Sequence, residues 1–424
     1  SGPASSVIGG MKLTDLDDAL ILDMGGTTSD LAAVRDKMTV LSSRGVDVGS
    51  WRTGTRAIKL KTIGLGGDSL IGFDQKEALT IGPKRALPLS YLAKEHPNVK
   101  DELERIEYED KWHSLSLGEF YCLNSIPDKT YVLTDVERSA VEALKKGPLS
   151  KQQLAKTLDV SPFLLKLEAL EKPNFIMVGG LTPSDLMHIS GDYEAWDKEG
   201  ALLGGRILAK RLNISLDNLI DNVHGRIVKR LYKLVIEFLL SRNTAINATL
   251  SPDAIHLIDM AFKNPSDELQ VDISSHLPII GIGAPAHVYI NRLAKALNTK
   301  GIIPEYAGVA NALGAVTGSI ATQVTVVIKS RYDRTGIIGY GCHTPGDYFE
   351  TEDYQEALNW ARQAARKTAE KQAHTMGAVN VATQVSVQEQ KYEDARIELH
   401  MQTDIRARSI GSQPIYSLAK PGGE

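Results

Sequence analysis

The chain has 424 residues, 42% of them hydrophobic and 24% charged, a globular composition long enough for two or three domains. Its net charge of −4 leaves no electrostatic footprint for nucleic acid or an anionic membrane. No apolar run reaches the roughly 18 residues of a membrane span. Two cysteines, Cys122 and Cys342, cannot build a disulfide framework, so a cytoplasmic location is expected. The start, SGPASSVIGG, has neither the basic nor the apolar region of a signal peptide. Residue 1 is Ser rather than Met, which points to a processed, tagged or partial chain.

Ser1-Gly2-Pro3-Ala4 leads into a short helix towards Lys12, with Pro in the first turn. Ala19 to Leu22 is an apolar run suited to a buried strand, ended by Asp23. Gly25 and Gly26 allow a tight turn whose backbone N–H groups can approach an anion. Thr27, Thr28 and Ser29 add hydroxyls, Asp30 closes the turn, and Leu31 to Val34 returns as a second strand. A Gly-Gly-Thr-Thr hairpin with an acid at each end makes a phosphate cradle with places for a metal. It is not the P-loop, because G-x-x-x-x-G-K-[ST] is absent; Gly-Gly-Thr alone also suits an ordinary hairpin. Met38 to Val46 reads as a third strand, and the alternation of Ile58, Leu60 and Thr62 as a fourth. The run Thr62 to Ser69, with Gly66 and Gly67, is a glycine-rich turn that can bring backbone close to a ligand.

Residues 83–130 read as a polar insertion with a charged helix near Lys100 to Lys111. In 134–180, Thr134 with Glu137 and Ser150 with Gln153 make capping boxes, and Ser161-Pro162 starts a third helix running to Lys172. Three short helices leading into Phe175–Val178 outline a winged helix. Its last helix balances Lys166 and Lys172 against Glu168 and Glu171, which argues against DNA binding. In Leu181 to Ser190, Thr182 caps a helix with Pro183 in its first turn. Asp185 and His188 then share a face at i, i+3, suited to a shared metal or proton, or else to capping and a surface hydrogen bond. Ser215 to Arg242 is an amphipathic core helix with no chemistry assigned. An apolar strand from Leu277 ends in Gly281-x-Gly283, with Ala284 opening a helix to Leu297. Gly301 to Pro304 is a strand and Gly308 to Ala321 a Gly/Ala helix. Beyond it, alternation at Val324–Ile328, Val381–Val387 and Ile397–Met401 around an Ala-rich helix, Asp353 to His374, gives a small α/β unit. Cys342-His343 has no second pair to complete a structural zinc site.

The stretch Ala19 to Val34 resembles the second phosphate loop of the actin-like ATPases. Its D-M-G-G-T-[ST]-[ST]-D form looks most like the hydantoinase A/oxoprolinase family. The preceding SGPA, the T-P-[ST]-D-x-x-H pattern at Thr182–His188, the G-x-G-[AG]-P-A pattern at Gly281–Ala286 and the helix from Ala307 are similar to that family's motifs. The resemblance covers residues 1–82 and roughly 178–321. Asp68 stands where the family's glycine run has its last glycine, and the following Pro-, Gly-, Cys- and Tyr-rich stretch is missing.

The resemblance implies an α/β fold with an actin-like ATPase (ribonuclease H-like) domain from 1–82 and 181–321; the sequence pattern adds a helical insertion over 83–180 that includes a winged-helix-like module at 134–180, and a small C-terminal α/β unit at 322–424. The resemblance also implies ATP and Mg²⁺ as cofactors. Asp23 and Asp30 would hold Mg²⁺. Gly25, Gly26, Thr27, Thr28 and Ser29 would face the phosphates, with Gly66 and Gly67 nearby, and Gly281, Gly283 and Ala284 would receive adenosine. Asp185 and His188 join Asp23 and Asp30 as catalytic candidates, for substrate or a second metal. The implied activity is ATP-dependent hydrolysis of a cyclic amide, hydantoin or 5-oxoproline. A ketone carboxylase subunit and a non-catalytic nucleotide-binding scaffold are the alternatives. The other phosphate loop is expected to precede Ser1 or to come from a partner subunit, and an oligomer is expected.

Overall fold

The computed structural model describes residues 2–36, 38–39, 41–42, 47–48, 51–52, 57–74, 78–109, 118–128, 130–243, 250–263, 269–317, 319–334, 336–344, 346–394 and 397–412. The protein is a mixed α/β chain with several sheets, dividing into one unit over 1–311 and a second over 312–424.

The first unit is built on a sheet whose central strand is Ala19–Met24. On one side Ile279–Ile282 pairs with it in parallel and Gly301–Ile302 follows. On the other, Ser29–Arg35 returns antiparallel and pairs in turn with Leu60–Ile63 and Met38–Thr39. Side chains on a strand alternate between faces, and this sorts the core. Ala19, Ile21, Ala32, Val34, Ile280 and Ile282 pack with Val7 of the helix Gly2–Lys12 on one face. By the same alternation Asp23 and Asp30 continue this first face. Leu20, Leu22, Met24, Leu31, Ala33 and Ile279 face the larger core, where the helix Leu216–Asn243 buries Leu219, Val223, Ile227, Leu231, Leu234 and Phe238.

The helix Gly2–Lys12 and the strands at Ala19, Ser29 and Leu60 follow the sequence pattern; the first strand runs through Asp23 to Met24. The expected third strand is seen as Met38–Thr39 and Leu41–Ser42, with 43–46 outside the described residues. The stretch after residue 83 has the helices Leu89–Glu95 and Pro97–Tyr108, while position 111 lies outside the described residues. It is not polar throughout. Leu89, Leu92, Val99, Leu103, Ile106 and Phe120 belong to the large core.

Both expected capping boxes form, at Thr134 and Ser150. The expected helix Ser161 to Lys172 forms only as Glu168–Glu171. Leu165 and Leu167 are both buried in the local cluster with Leu170. Residues i and i+2 cannot share one helical face, so burying both leaves only a single turn after Ser161, closed by Leu164 N–H on the Ser161 carbonyl at 2.9 Å, and the helix starts after Leu167. The strand Ile176–Gly180 lies between Leu87–Pro88 and Phe120–Leu123 in a four-stranded sheet.

The second unit is a five-stranded antiparallel sheet, in spatial order Asp347–Thr351, Gly336–Thr344, Ser319–Asp333, Ile397–Ser412 and Val379–Asp394. The helix Tyr354–Thr375 covers one face, capped by Asp353 and followed by Gly377 at φ 88°. Ala357, Ala361, Ala365 and Ala369 form a stripe of small residues that lets it sit close to Val324, Val326, Ile328 and Ile405. Cys342 is buried and His343 exposed on the same strand, so the two point to opposite faces and cannot chelate one metal. The helix expected to reach Ala321 ends at Thr317, and the strand from Ser319 takes over. Among the described residues, no helix is long and apolar enough to cross a membrane.

Candidate functional site

The site gathers at one end of the central strands. Asp23 and Asp30 are register partners across the antiparallel pair, and Asp30 is in turn opposite Thr62. Directly opposed residues lie on the same face of a sheet, so two carboxylates and a hydroxyl form a row across three strands. The Thr62 hydroxyl donates to Asp30 Oδ1, and the Thr28 hydroxyl donates to Asp30 Oδ2 at 3.3 Å. Ser6, from the opening helix, donates to the Asp23 carboxylate. Burial pushes the Asp23 carboxyl up from its ordinary range, the bond from Ser6 opposes this, and Asp30 adds to it.

Three glycine turns close over this row. In the first, Gly25 N–H donates to the Thr28 carbonyl at 2.9 Å, which sets the tight hairpin. The second, at Gly64–Asp68, is bonded onto the first: Gly67 N–H donates to the Gly25 carbonyl at 3.0 Å and Asp68 N–H to the Gly26 carbonyl at 2.6 Å. A methyl at Gly66 would lie 2.5 Å from the Gly25 carbonyl oxygen, so nothing larger than glycine fits there. The third follows the strand Ile279–Ile282. Gly283 adopts φ 88°, and a methyl there would run into the Met24 carbonyl oxygen and lie 3.1 Å from Asp23 Oδ1. Gly67 ties the ends of two helices to the same place, because a methyl there would meet Ser184 Oγ at 2.8 Å and Pro285 at 3.3 Å. These two residues open the helices Pro183–Ser190 and Ala286–Ala296.

The second turn is held from behind. Arg230, on the long helix assigned no chemistry by its pattern, donates to the Ile81 carbonyl and to that of Gly64. Ser29 is fully buried and its hydroxyl donates to the Leu65 carbonyl at 2.6 Å. Ser29 therefore braces the two turns and does not reach a ligand. Gly281 is likewise a packing residue, since a methyl there would strike Ile290 of the helix Ala286–Ala296. Gly25, Gly26, Thr27, Thr28, Gly283 and Ala284 remain at least partly accessible.

Asp185 and His188 are brought near the site only through Ser184; their side chains turn elsewhere. Asp185 is fully buried and saturated. It accepts from Thr182 N–H and hydroxyl at 2.9 Å each, from Leu89 N–H at 3.1 Å, and from Ser90 N–H and hydroxyl at 2.8 and 2.6 Å. Burial raises its pKa and these bonds oppose the rise. His188 Nδ1 donates to the Ser184 carbonyl at 2.7 Å and Nε2 accepts from Trp196 N–H at 3.1 Å. Its ring stacks on Trp196 at 5.2 Å. One nitrogen donates and the other accepts, as a neutral imidazole requires. The shared helical face suggested by i, i+3 spacing is thus split between two sets of structural bonds.

The donor set fits a magnesium–nucleotide complex. Among the described residues, no group of three or more His, Cys, Asp or Glu side chains could hold a metal alone. Magnesium commonly takes one or two carboxylates, with phosphate oxygens and water completing its shell, and Asp23 with Asp30 matches that demand. Opposed like charges also destabilise a sheet unless a cation or proton offsets them.

Comparison with known proteins bears on the same segment. Residues 1–93 match the model of the Hydantoinase/oxoprolinase family. This segment belongs to the hydantoinase/oxoprolinase family. The first two glycine turns and both carboxylates lie within the hydantoinase-like segment; the third turn, Asp185 and His188 lie beyond it. Caprolactamase subunit alpha of Pseudomonas jessenii is 33% identical over 89 residues, which are 20% of this chain and 13% of that protein. A nucleotide-free acetone carboxylase structure, from work on ATP-dependent acetone carboxylation, has a TM-score of 0.52 and 13% identity, covering 98% of this chain and 49% of that one. That likeness is one of fold. The ATP-dependent caprolactamase structure from Pseudomonas jessenii has a TM-score of 0.39 and 14% identity over 100% of this chain and 51% of its own, too low a score to carry an argument. The chain spans about half the length of these solved neighbours and 13% of the curated relative.

Proposed function

We propose that this chain carries one side of the nucleotide site of an ATP-dependent hydrolase of cyclic amides, of the hydantoin or 5-oxoproline type. The observation that carries the reading is the meeting of three glycine turns over the facing carboxylates of Asp23 and Asp30. The match to a caprolactamase subunit, an enzyme named for a cyclic amide, supports the amide as substrate class.

A cyclic amide resists water because its carbonyl is resonance-stabilised, and ATP when bound supplies a phosphoryl group that activates the carbonyl oxygen. The chain's own residues position and neutralise, which is most of what phosphoryl transfer asks of a protein. Asp23 and Asp30 hold Mg²⁺, directly or through water. Gly26 and Thr27 present backbone N–H groups and the Thr27 hydroxyl to the phosphates, in a turn shaped by the Gly25 N–H on the Thr28 carbonyl and the Thr28 hydroxyl on Asp30, and Gly283 and Ala284 admit the adenosine against bare backbone. Ser6, Thr62, Ser29 and Arg230 fix these groups before the nucleotide arrives, so no reorganisation is required at the moment of transfer. On this reading the sheet around Ala19–Met24 is one lobe of an actin-like ATPase cleft, and the facing lobe belongs to the remainder of the larger enzyme or to a partner subunit.

A second reading is a subunit of an ATP-dependent ketone carboxylase, favoured by the acetone carboxylase fold extending over 98% of the chain. The two readings part on substrate. The assembled enzyme is incubated with ATP and either hydantoin, 5-oxoproline or a lactam, or acetone with bicarbonate, and phosphate release and product are followed. Ring opening coupled to ATP cleavage, lost by about 10³-fold in Asp30→Asn, is expected. Full turnover by Asp30→Asn would remove the assignment.

A further inference from the structure

The second glycine turn ends in a carboxylate aimed at the first. Asp68 is pinned on both sides, its N–H to the Gly26 carbonyl at 2.6 Å and its carbonyl to Ala86 N–H at 2.8 Å. That anchoring lays the side chain over Gly26: a methyl there would be 2.5 Å from Asp68 Oδ2 and 2.9 Å from its Cγ. The Asp68 side chain is 18% exposed. A negative charge therefore rests against the turn proposed above to receive phosphates.

Arg85 holds that charge loosely. Its Nη2 and Nε reach the same oxygen, Oδ2, at 3.2 and 3.3 Å. A guanidinium binds a carboxylate most strongly through two parallel bonds to two oxygens at about 2.7–2.9 Å; here one oxygen takes both bonds and each is long. The Arg85 side chain is 52% exposed. Neighbouring cations are committed elsewhere, Lys84 to Glu171 at 2.7 Å and Arg230 to backbone carbonyls.

We propose that Asp68 is an internal counter-anion that parks Arg85 beside the first turn, and that an incoming phosphate takes the guanidinium over, making Arg85 a phosphate-binding residue. The inference rests on the nucleotide site proposed above. A terminal phosphate offers the fork two oxygens, which Asp68 does not in this geometry. Asp68 opposes the bound phosphate by its charge, so the pair sets phosphate affinity in opposite directions from its two members. A unit charge a few ångströms from a phosphate changes affinity by about tenfold or more at a partly exposed site.

Equilibrium binding of Mg-ADP and of adenosine to the full chain, in wild type, Asp68→Asn, Arg85→Gln and Arg85→Lys, tests this. Asp68→Asn is expected to tighten Mg-ADP about tenfold and Arg85→Gln to weaken it about tenfold, with Arg85→Lys in between and adenosine unchanged throughout. Thermal melts confirm that each variant is folded. Mg-ADP binding that is the same in all four proteins, or ADP and adenosine shifting together, overturns the exchange of Arg85 while leaving the nucleotide site standing. A folded wild type that binds neither ligand overturns both.

Discussion

Asp23 and Asp30 face each other across two antiparallel strands, on the sheet face covered by the opening helix. The Ser6 hydroxyl reaches one and the Thr28 and Thr62 hydroxyls reach the other. Opposed like charges cost up to about 1 kcal/mol without a cation. Asp23→Asn is therefore expected to raise the melting temperature of the ligand-free chain slightly, by about 1–2 °C, and to reduce the further rise that Mg-ADP gives wild type. Melting curves with and without Mg-ADP check both signs.

Asp185 and His188 are expected to matter for folding and not for chemistry. Asp185→Ala leaves the buried donors of Leu89, Ser90 and Thr182 unpaired, a loss of about 3–5 kcal/mol. His188→Phe keeps a ring against Trp196 but drops both hydrogen bonds, a loss of about 1–3 kcal/mol. Denaturant melts measure these losses. Nucleotide affinity of the folded fraction is expected to stay within about twofold of wild type; a large fall in affinity without loss of stability would return both residues to the site.

The glycines divide by what surrounds them. Gly66→Ala would drive a methyl into the backbone carbonyls of Gly25 and Gly26, which cannot move aside as a side chain can. It is expected to part the first two turns, costing about 1–3 kcal/mol and at least about tenfold in nucleotide affinity. Gly225, in the helix Leu216–Asn243, has nothing within 4 Å of an added methyl. Gly225→Ala is expected to stabilise by about 0.5–1 kcal/mol and leave binding alone. Chemical denaturation and nucleotide titration of the two variants check the contrast.

His224 should tie stability to pH. It is buried on the long helix Leu216–Asn243, with Nδ1 3.1 Å from the Tyr289 hydroxyl, and burial, aided by Arg292, lowers its pKa to about 4. The unfolded chain takes up this proton near pH 6.5 and the folded one only near pH 4. The contribution is therefore complete above pH 6.5 and is lost as pH falls towards 4, by about 2 kcal/mol at pH 5. Urea midpoints at pH 7.5 and pH 5.0 are expected to diverge less in His224→Gln than in wild type.

What could be read before folding was what local pattern decides. The apolar run before Asp23, the turn chemistry of Gly25–Gly26, the caps at Thr134, Ser150 and Thr182, and the turn at Gly281-x-Gly283 all stand where periodicity and turn rules put them. What escaped reading depends on distant partners. Nothing near Asp185 announces that its acceptors are filled from Leu89 and Ser90, 96 and 95 positions away. Ser29 looked like a phosphate donor because its neighbours do, and only the Leu65 carbonyl reveals it as a brace. Thr62 was legible in principle: strand alternation places it opposite Asp30 once the pairing is known. The strands Gly336–Thr344 and Asp347–Thr351 carry too few alternating apolar residues to stand out. The helix expected from Ser161 failed because two leucines at i, i+2 were both drawn into the core.

The central claim, that the hairpin from Asp23 to Asp30 holds a magnesium–nucleotide complex, is tested most directly by ATP affinity as a function of Mg²⁺ concentration. Isothermal titration of the full chain is repeated at increasing Mg²⁺ for wild type and for Asp23→Asn/Asp30→Asn. Wild type is expected to bind ATP at least about tenfold more tightly once Mg²⁺ is present, and the double variant to show no dependence on Mg²⁺. Superimposable curves from the two proteins would contradict the claim and move the nucleotide away from these carboxylates.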